Sequence, residues 1–199
     1  MPGPPACEAA FAFEDLLSSG VLMPFAYYDR LSPARQAIYR RSDEIVTLDL
    51  PAGVIVADAV GDIEAGLLRG HRPTVQRGSK ELIDTMVAGF GVPFVDVRVL
   101  AVRPTDVEGE LHGLYEPDED IPRARISVWM RTAQKKQVVA FRSFVRTLVH
   151  EFLHHLDYEH FKLPETFHTE GFYKRESALA NALFSAVAVA ADPVRDAPG

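Results

Sequence analysis

The sequence predicts an α+β domain in which helices lie on both sides of a small sheet in chain order. Apolar residues recur with helical spacing in the first part of the chain, strand-type alternation follows from Val92, and helical spacing returns at about Val138. The predicted organisation is an irregular N-terminal segment (1–30), one domain (31–191, with a helical part 31–91 and a sheet-containing part 92–191) and a tail (192–199).

Composition agrees with one globular domain and excludes several classes of protein. Of the 199 residues, 47% are hydrophobic and 25% charged, unlike disordered, collagen-like or coiled-coil chains. A balance of 21 Lys+Arg against 28 Asp+Glu gives a net charge of −7, which argues against nucleic-acid binding through overall charge. The single cysteine, Cys7, excludes a disulfide framework and a cysteine-only zinc site.

No secretion signal or membrane span is predicted. Glu8, Glu14 and Asp15 lie where a signal peptide would have its apolar region. The longest apolar stretch, from Ala178 to Ala191, contains polar residues and is too short to cross a bilayer. We therefore expect a cytoplasmic protein without a membrane partner.

Three helices are predicted before the sheet. They extend from Ser32 through Ile38 to Asp43, from Asp58 to Leu68, and from Ser79 to Phe90. Ser32 followed by Pro33 is typical of a helix start. Ser79 is expected to cap the third helix, and Gly89 or Gly91 to end it.

Three short strands and two helices complete the prediction. The strands are expected at Val95–Ala101, Leu111–Tyr115 and Arg125–Met130, in an antiparallel or mixed sheet, with an acidic loop at Glu116–Asp120. A long amphipathic helix of about six turns is expected from about Val138 to Leu163, ending before Pro164. A last, buried helix is expected from Lys174 to Ala190.

The long helix contains the motif H-E-x-x-H, which extends from His150 to His154. Histidines four positions apart on a helix differ by about 40° around its axis, so both rings can reach one Zn²⁺. Glu151 projects beside the metal, where a carboxylate can hold a zinc-bound water and accept its proton. The helical wheel places both histidines away from the apolar stripe, facing a cleft or solvent. The motif predicts a zinc hydrolase with Glu151 as general base.

A catalytic zinc needs a third protein ligand, and two candidates lie close to the motif. Asp157 is about 10.5 Å along the helix axis from His150, too far for one metal ion. Asp157 therefore either orients His154 or a neighbouring residue, or is a charge on the helix surface. His160 has the spacing of the metzincin motif, but Asp157 stands where that motif has glycine.

Two further candidates lie beyond the helix. Glu176 is placed like the glutamate ligand of gluzincins, although an acidic residue also suits the first turn of a helix. His168 follows a loop, containing Pro164, that is long enough to return the chain to the zinc. With Phe172, His168 forms H-x-x-x-F, and this pattern after H-E-x-x-H resembles the SprT-like zinc metallopeptidases over about 92–191. The chain is also similar to small uncharacterised bacterial metallopeptidase-like proteins with H-E-x-x-H-H-x-D.

The resemblance implies a zincin-like fold in which a small sheet packs with the active-site helix and flanking helices. It implies Zn²⁺ held by His150, His154 and His168, with Glu151 as the catalytic base and a protein or peptide as the substrate. In zincins the strand nearest the cleft pairs with an extended substrate, and here Arg125–Met130 is expected in that place.

Two alternatives to a zinc peptidase stay open. One is a non-proteolytic zinc-binding or regulatory protein on the same fold, and the other is a DNA-associated protease of the SprT-like kind. The chain departs from SprT-like proteins in having Thr169 where glycine is common, and in lacking a cysteine-rich zinc ribbon. Five arginines make the middle of the chain locally basic, and we interpret them as solvated charges: Arg123, Arg125, Arg131, Arg142 and Arg146.

A peptidase also needs a hydrogen-bond donor to the oxyanion that develops during the reaction. The candidate donors are Tyr158, Tyr173 and His155.

Overall fold

Five α-helices and three β-strands make up the fold in a computed structural model that describes residues 25, 27–105, 109–118 and 123–191. In chain order they are α1 (Pro33–Glu44), α2 (Ala57–Leu68), α3 (Arg72–Phe90), β1 (Asp96–Val102), β2 (Gly113–Glu116), β3 (Arg125–Arg131), α4 (Phe141–Glu159) and α5 (Glu170–Ala191). The predicted α+β class is confirmed. Most of the predicted N-terminal segment, including Cys7, and the predicted tail lie outside the described residues.

The strands form one mixed sheet in the order β1-β3-β2. β1 is parallel to β3, with Val97 opposite Ile126, and β2 is antiparallel to β3, with Tyr115 opposite Ile126. Of the two arrangements that the sequence allowed, the structure has the mixed one. The central strand is β3, which has a neighbour on each side.

Side chains of α3 cover the outer edge of β1. Gln76 donates from Nε2 to the carbonyl of Val97 and accepts through Oε1 from the N–H of Val99, both at 2.8 Å. Arg72 adds a 3.0 Å hydrogen bond from Nη1 to the carbonyl of Val99. These side chains occupy backbone groups that an added strand would use. Within the described residues, the edge of β2 that faces away from β3 has no strand partner.

The first two helices match their predicted positions closely. Ser32 caps α1, because its Oγ accepts a 3.3 Å hydrogen bond from the N–H of Arg35, and Pro33 lies in the first turn. Helix α2 begins one residue before its predicted start and ends at Leu68, as predicted.

The predicted start of α3 at Ser79 is wrong. The helix begins at Arg72, and Ser79 is buried in its middle. The preceding Gly78 faces α2, where a Cβ would lie 2.8 Å from the carbonyl oxygen of Ala59. The glycine–serine pair therefore marks a close contact between helices rather than a helix start. Gly91 ends α3 in the left-handed conformation, at φ 66°, as one of the two predicted alternatives.

The last two helices differ from prediction at their ends. Helix α4 begins three residues later than expected, since Val138 is still extended and bridges Arg131 of β3. It ends at Glu159, before Lys162, which has a left-handed φ of 52°. Helix α5 begins at Glu170, before the expected Lys174. The connection between α4 and α5 therefore consists of residues 160–169 and contains His168.

One buried hydrophobic cluster joins the helices before the sheet to the helices after it. Its fully buried members include Ile63, Leu82, Ile83 and Met86 from α2 and α3, Ile126 and Val128 from β3, Phe144, Leu148 and Phe152 from α4, and Leu179 and Leu183 from α5. This cluster holds the apolar side of α4 and fixes the direction in which its histidines point. None of the helices in the described part of the chain has the length and apolar content that crossing a bilayer requires.

Candidate metal centre

Helix α4 directs its motif toward the connection between α4 and α5. The side opposite the motif is fixed by the hydrophobic cluster, which contains Leu148 and Phe152. The expectation of a cleft or solvent on the histidine side needs correction, because His154 is only 3% exposed. The connection and the start of α5 cover it, whereas His150 is half-buried.

The imidazoles of His150, His154 and His168 converge on one point. Nε2 of His168 lies 2.9 Å from Nε2 of His150 and 3.3 Å from Nε2 of His154. The ligand nitrogens of all three lie within 4.8 Å of one another. Nitrogens bound to one tetrahedral Zn²⁺ at 2.0–2.1 Å would be about 3.3 Å apart. The cluster therefore has the spacing of a ligand set for one metal ion.

His150 and His154 each use Nδ1, the ring nitrogen that faces away from the cluster, for a hydrogen bond, and this leaves Nε2 available to bind a metal. Nδ1 of His150 donates to Oε2 of Glu176 at 2.9 Å, so Nε2 carries the lone pair of the neutral ring. Nδ1 of His154 lies 2.8 Å from the hydroxyl of Thr166. Outer partners of this kind fix the orientation and tautomer of metal-binding histidines.

Burial keeps two of the three rings neutral. It lowers the pKa of His154 well below 6.5, helped by the nearby His150 and His168. Burial, followed by the effect of His150, lowers the pKa of His168 to about 3. Burial also acts against protonated His150, but the hydrogen bond to Glu176 and the charges of Glu151 and Glu176 outweigh it and raise its pKa. Neutral imidazole is the form that binds metal ions.

Phe172 packs against all three histidines, which explains why phenylalanine follows His168 in the H-x-x-x-F pattern. Its fully buried ring lies 5.1 Å from His150, 4.9 Å from His154 and 5.3 Å from His168, between ring centroids. Thr169 lies between the two motif residues and directly before α5, and its Oγ1 accepts a hydrogen bond from the N–H of Phe172 at 3.0 Å. Threonine at this position thus has a capping role.

Glu151 lies against β2 and is buried. A Cβ on Gly113 would be 2.7 Å from Cγ and 2.8 Å from Cδ of Glu151, so the carboxylate occupies the space that a side chain there would fill. Burial is the main effect that raises the pKa of Glu151 to about 7, and the charge of Glu176 also raises it. The charge of His150 and a hydrogen bond from the backbone N–H of Tyr115 act in the opposite direction. A carboxyl group with this pKa is suited to exchanging protons near neutral pH.

The expected substrate strand, Arg125–Met130, is wrong. Those residues belong to β3, whose two edges are already paired with β1 and β2. The strand that contacts Glu151 is β2, and its outer edge has no strand partner among the described residues. Alternation of apolar and polar residues predicts strands but does not give their order in a sheet, so it does not identify which strand lies at an edge.

The remaining ligand candidates lie outside the histidine cluster. His160 is exposed, with its ring 5.5 Å from that of Phe90. Glu176 binds the outer nitrogen of His150. Asp157 is fully buried and accepts a 2.7 Å hydrogen bond from Thr166, so it is not a surface charge.

Of the three candidate oxyanion donors, the structure places one beside the ligands. His155 is held elsewhere, since its Nε2 lies 2.8 Å from the carbonyl of Pro93 and its Nδ1 3.1 Å from the hydroxyl of Tyr115. Tyr158 stacks on Tyr115 at 6.0 Å between centroids. Tyr173 stacks on His168 at 6.0 Å, and its ring lies 6.3 Å from that of His150.

Several of the arginines singled out in the sequence have specific neighbours. Arg125 faces Asp96 and Glu116, and Arg131 donates to the carbonyl of Lys136 at 3.1 Å. Arg142 lies over the ring of Phe184 at 4.0 Å. Nη1 of Arg146 is 3.5 Å from Oε1 of Glu176. Arg123 is exposed.

Sequence reasoning missed three residues around the site: Gly113, Thr166 and Arg175. A lone glycine in a short strand indicates a close approach of another group, so this signal could have identified Gly113. No local pattern marks Thr166 or Arg175, because their partners lie on other elements.

Together, the three histidines can bind a metal ion, with Glu151 next to the first of them in the chain. Comparison with family models, curated proteins and solved structures finds no match.

Proposed function

We propose that this protein is a zinc-dependent metallopeptidase. Zn²⁺ would be held by His150, His154 and His168, and Glu151 would be the general base. The observation that supports the proposal most strongly is the convergence of three imidazole nitrogens, which lie within 4.8 Å of one another.

The donor set favours zinc. Imidazole nitrogens suit Zn²⁺, and three protein ligands leave the open fourth position of catalytic zinc sites. When bound, zinc would polarise the scissile carbonyl and lower the pKa of a water molecule.

Glu151 would carry the proton in the reaction. As a carboxylate it accepts a proton from the attacking water, and it then delivers that proton to the leaving amine as the C–N bond breaks. Its raised pKa suits both steps at neutral pH. Tyr173, beside two of the histidines, is the candidate donor to the developing oxyanion.

The edge of β2 supports a peptide as the substrate. An extended peptide binds by adding a strand to an open sheet edge. Among the residues that the structure describes, the edge without a strand partner belongs to β2, which contacts Glu151, whereas the edge of β1 is covered by Gln76 and Arg72. A peptide paired with β2 would therefore have its backbone beside the general base.

Glu151→Gln tests the proposal. Wild-type protein loaded with zinc is incubated with casein and a peptide library, cleavage is read by mass spectrometry, and metal content is measured by elemental analysis. We expect Glu151→Gln to retain one zinc per chain and to lose activity by about a hundredfold or more. Glu159→Gln is the matched control, because Glu159 lies on the same helix and pairs with Lys162 at 3.2 Å.

Two outcomes would replace the proposal. Zinc-loaded wild-type protein that cleaves no substrate would favour the non-proteolytic zinc-binding alternative. Cleavage only of protein attached to DNA, together with salt-sensitive DNA binding, would favour the DNA-associated protease.

A further inference from the structure

The hydroxyl of Thr166 connects a metal-binding histidine to a buried ion pair. It donates to Oδ2 of Asp157 at 2.7 Å and lies 2.8 Å from Nδ1 of His154. A threonine hydroxyl has one hydrogen, and here that hydrogen is used on Asp157. The hydroxyl oxygen must therefore accept from Nδ1–H of His154, which leaves the lone pair of His154 on Nε2, facing the cluster.

Asp157 is held in turn by Arg175 of α5. Nη2 of Arg175 donates to Oδ1 of Asp157 at 2.8 Å, and both side chains are completely buried. Each carboxylate oxygen thus has its own donor. Removing two charges from water has a desolvation cost that their mutual attraction offsets only in part, so such a pair is weak evidence of a purely stabilising role.

Arg175 also connects this chain of hydrogen bonds to α1. Its Nη1 donates to the carbonyl of Ser42 at 2.7 Å and to that of Ile45. Helix α1 is held against the start of α5 by a second contact, a 2.9 Å hydrogen bond from the N–H of Gly171 to Oδ1 of Asp43. A continuous series of hydrogen bonds therefore connects the end of the first helix to His154.

We infer that Thr166, Asp157 and Arg175 form a positioning relay that sets the tautomer and orientation of His154 and so the metal affinity of the cluster. Thr166 lies two residues before His168, so the same hydroxyl also holds the loop that carries the third ligand. The inference rests on the metal site of the proposed function but not on peptidase activity.

Thr166→Val tests the relay, because valine keeps the shape of threonine and removes its hydroxyl. Zinc affinity is measured by competition with a chromophoric chelator, and the ligand field by the visible absorption of the cobalt-substituted protein. We expect Thr166→Val to weaken zinc binding by about 10–100-fold and to change the cobalt spectrum. Thr166→Ser, which restores the hydroxyl, is expected to recover both.

The matched control is Thr147→Val on α4, whose hydroxyl bonds to the carbonyl of Ser143 at 3.0 Å and not to the cluster. It is expected to leave affinity and spectrum unchanged. If Thr166→Val does not fold, Asp157→Asn provides the second test, since it keeps the size of the side chain and removes its charge. We expect it to weaken zinc binding as well.

Wild-type affinity and an unchanged spectrum in folded Thr166→Val or Asp157→Asn would overturn the relay. A wild-type protein that binds no zinc would remove both the relay and the peptidase. A wild-type protein that binds zinc without cleaving peptides would remove the peptidase alone, and the affinity series would still decide the relay.

Discussion

Nδ1 of His150 and Oε2 of Glu176 are joined by a 2.9 Å hydrogen bond. Position in the chain alone made Glu176 a candidate third ligand. In the structure the side chain of Glu176 is only 5% exposed, and one carboxylate oxygen accepts the hydrogen bond from Nδ1 of His150. Its other oxygen lies 3.5 Å from Nη1 of Arg146. Glu176 therefore acts on the metal site through His150.

Glu176→Gln should weaken zinc binding without abolishing it. Glutamine keeps an oxygen that can accept from His150, but it loses the negative charge that strengthens the hydrogen bond. We expect the dissociation constant of zinc to rise by about 10–100-fold, measured by chelator competition. Complete loss of zinc in this variant would indicate direct ligation by Glu176.

His168→Ala should lower the zinc content sharply, whereas His160→Ala should retain one zinc per chain. His168 supplies one of three converging nitrogens, and His160 is exposed beside Phe90. Elemental analysis after dialysis against metal-free buffer measures the difference. The reverse result would favour the metzincin-like arrangement of ligands.

Gly113→Ala should reduce peptidase activity while zinc stays bound. The added methyl group would overlap Cγ and Cδ of Glu151 and push the proposed general base away from its position. Because a displacement of about 1 Å can lower a rate by about a hundredfold, we expect kcat/KM to fall by about that factor. Gly61→Ala is the control, since a Cβ there meets nothing within 4 Å. Equal activity of Gly113→Ala and wild type would argue against the buried position of Glu151 in the active enzyme.

The stability of metal-free protein should depend on pH through Glu151. Burial raises its pKa from 4.5 to about 7, so between these values the folded chain holds a proton that the unfolded chain has released. The free energy of unfolding therefore loses up to about 3 kcal/mol from this group as the pH rises through 7.

Glu151→Gln removes this dependence. With a chelator present to remove metal, we expect the variant to have a higher free energy of unfolding than wild type at about pH 8. We expect the two free energies of unfolding to be equal at about pH 4. Urea unfolding followed by circular dichroism measures both values. A difference that stays constant with pH would contradict the raised pKa.

Gln76→Ala should destabilise the fold and expose a sheet edge. The substitution removes two hydrogen bonds to β1, at Val97 and Val99, and we expect the free energy of unfolding to fall by about 1–3 kcal/mol. It also leaves the carbonyl of Val97 and the N–H of Val99 available for pairing with another chain. Urea unfolding and light scattering measure the loss of stability and the gain in association. Arg77→Ala, which breaks an exposed ion pair with Asp62, is expected to cost less than about 1 kcal/mol. Equal effects of both variants would contradict this role of Gln76.

Local patterns in the sequence determined much of the secondary structure. The cap at Ser32, the stop at Gly91 and the apolar stripe of α4 depend on neighbours a few residues away, and the structure has each of them. The error at Ser79 has the opposite origin. Serine is a common helix cap, so Ser79 looks locally like a helix start. In the structure Ser79 lies inside α3, and the preceding Gly78 allows close contact with α2, a different element.

The amino-acid order alone establishes that His150 pairs with His154, since four residues on one helix place two rings side by side. It does not establish which residue joins them, which strand contacts Glu151, or what holds the rings; those features depend on the three-dimensional packing. His168 and Thr166 come from a loop, Glu176 and Arg175 from α5, and Gly113 from β2. A helix fixes geometry over a few residues only, whereas these contacts depend on packing between elements far apart in the chain.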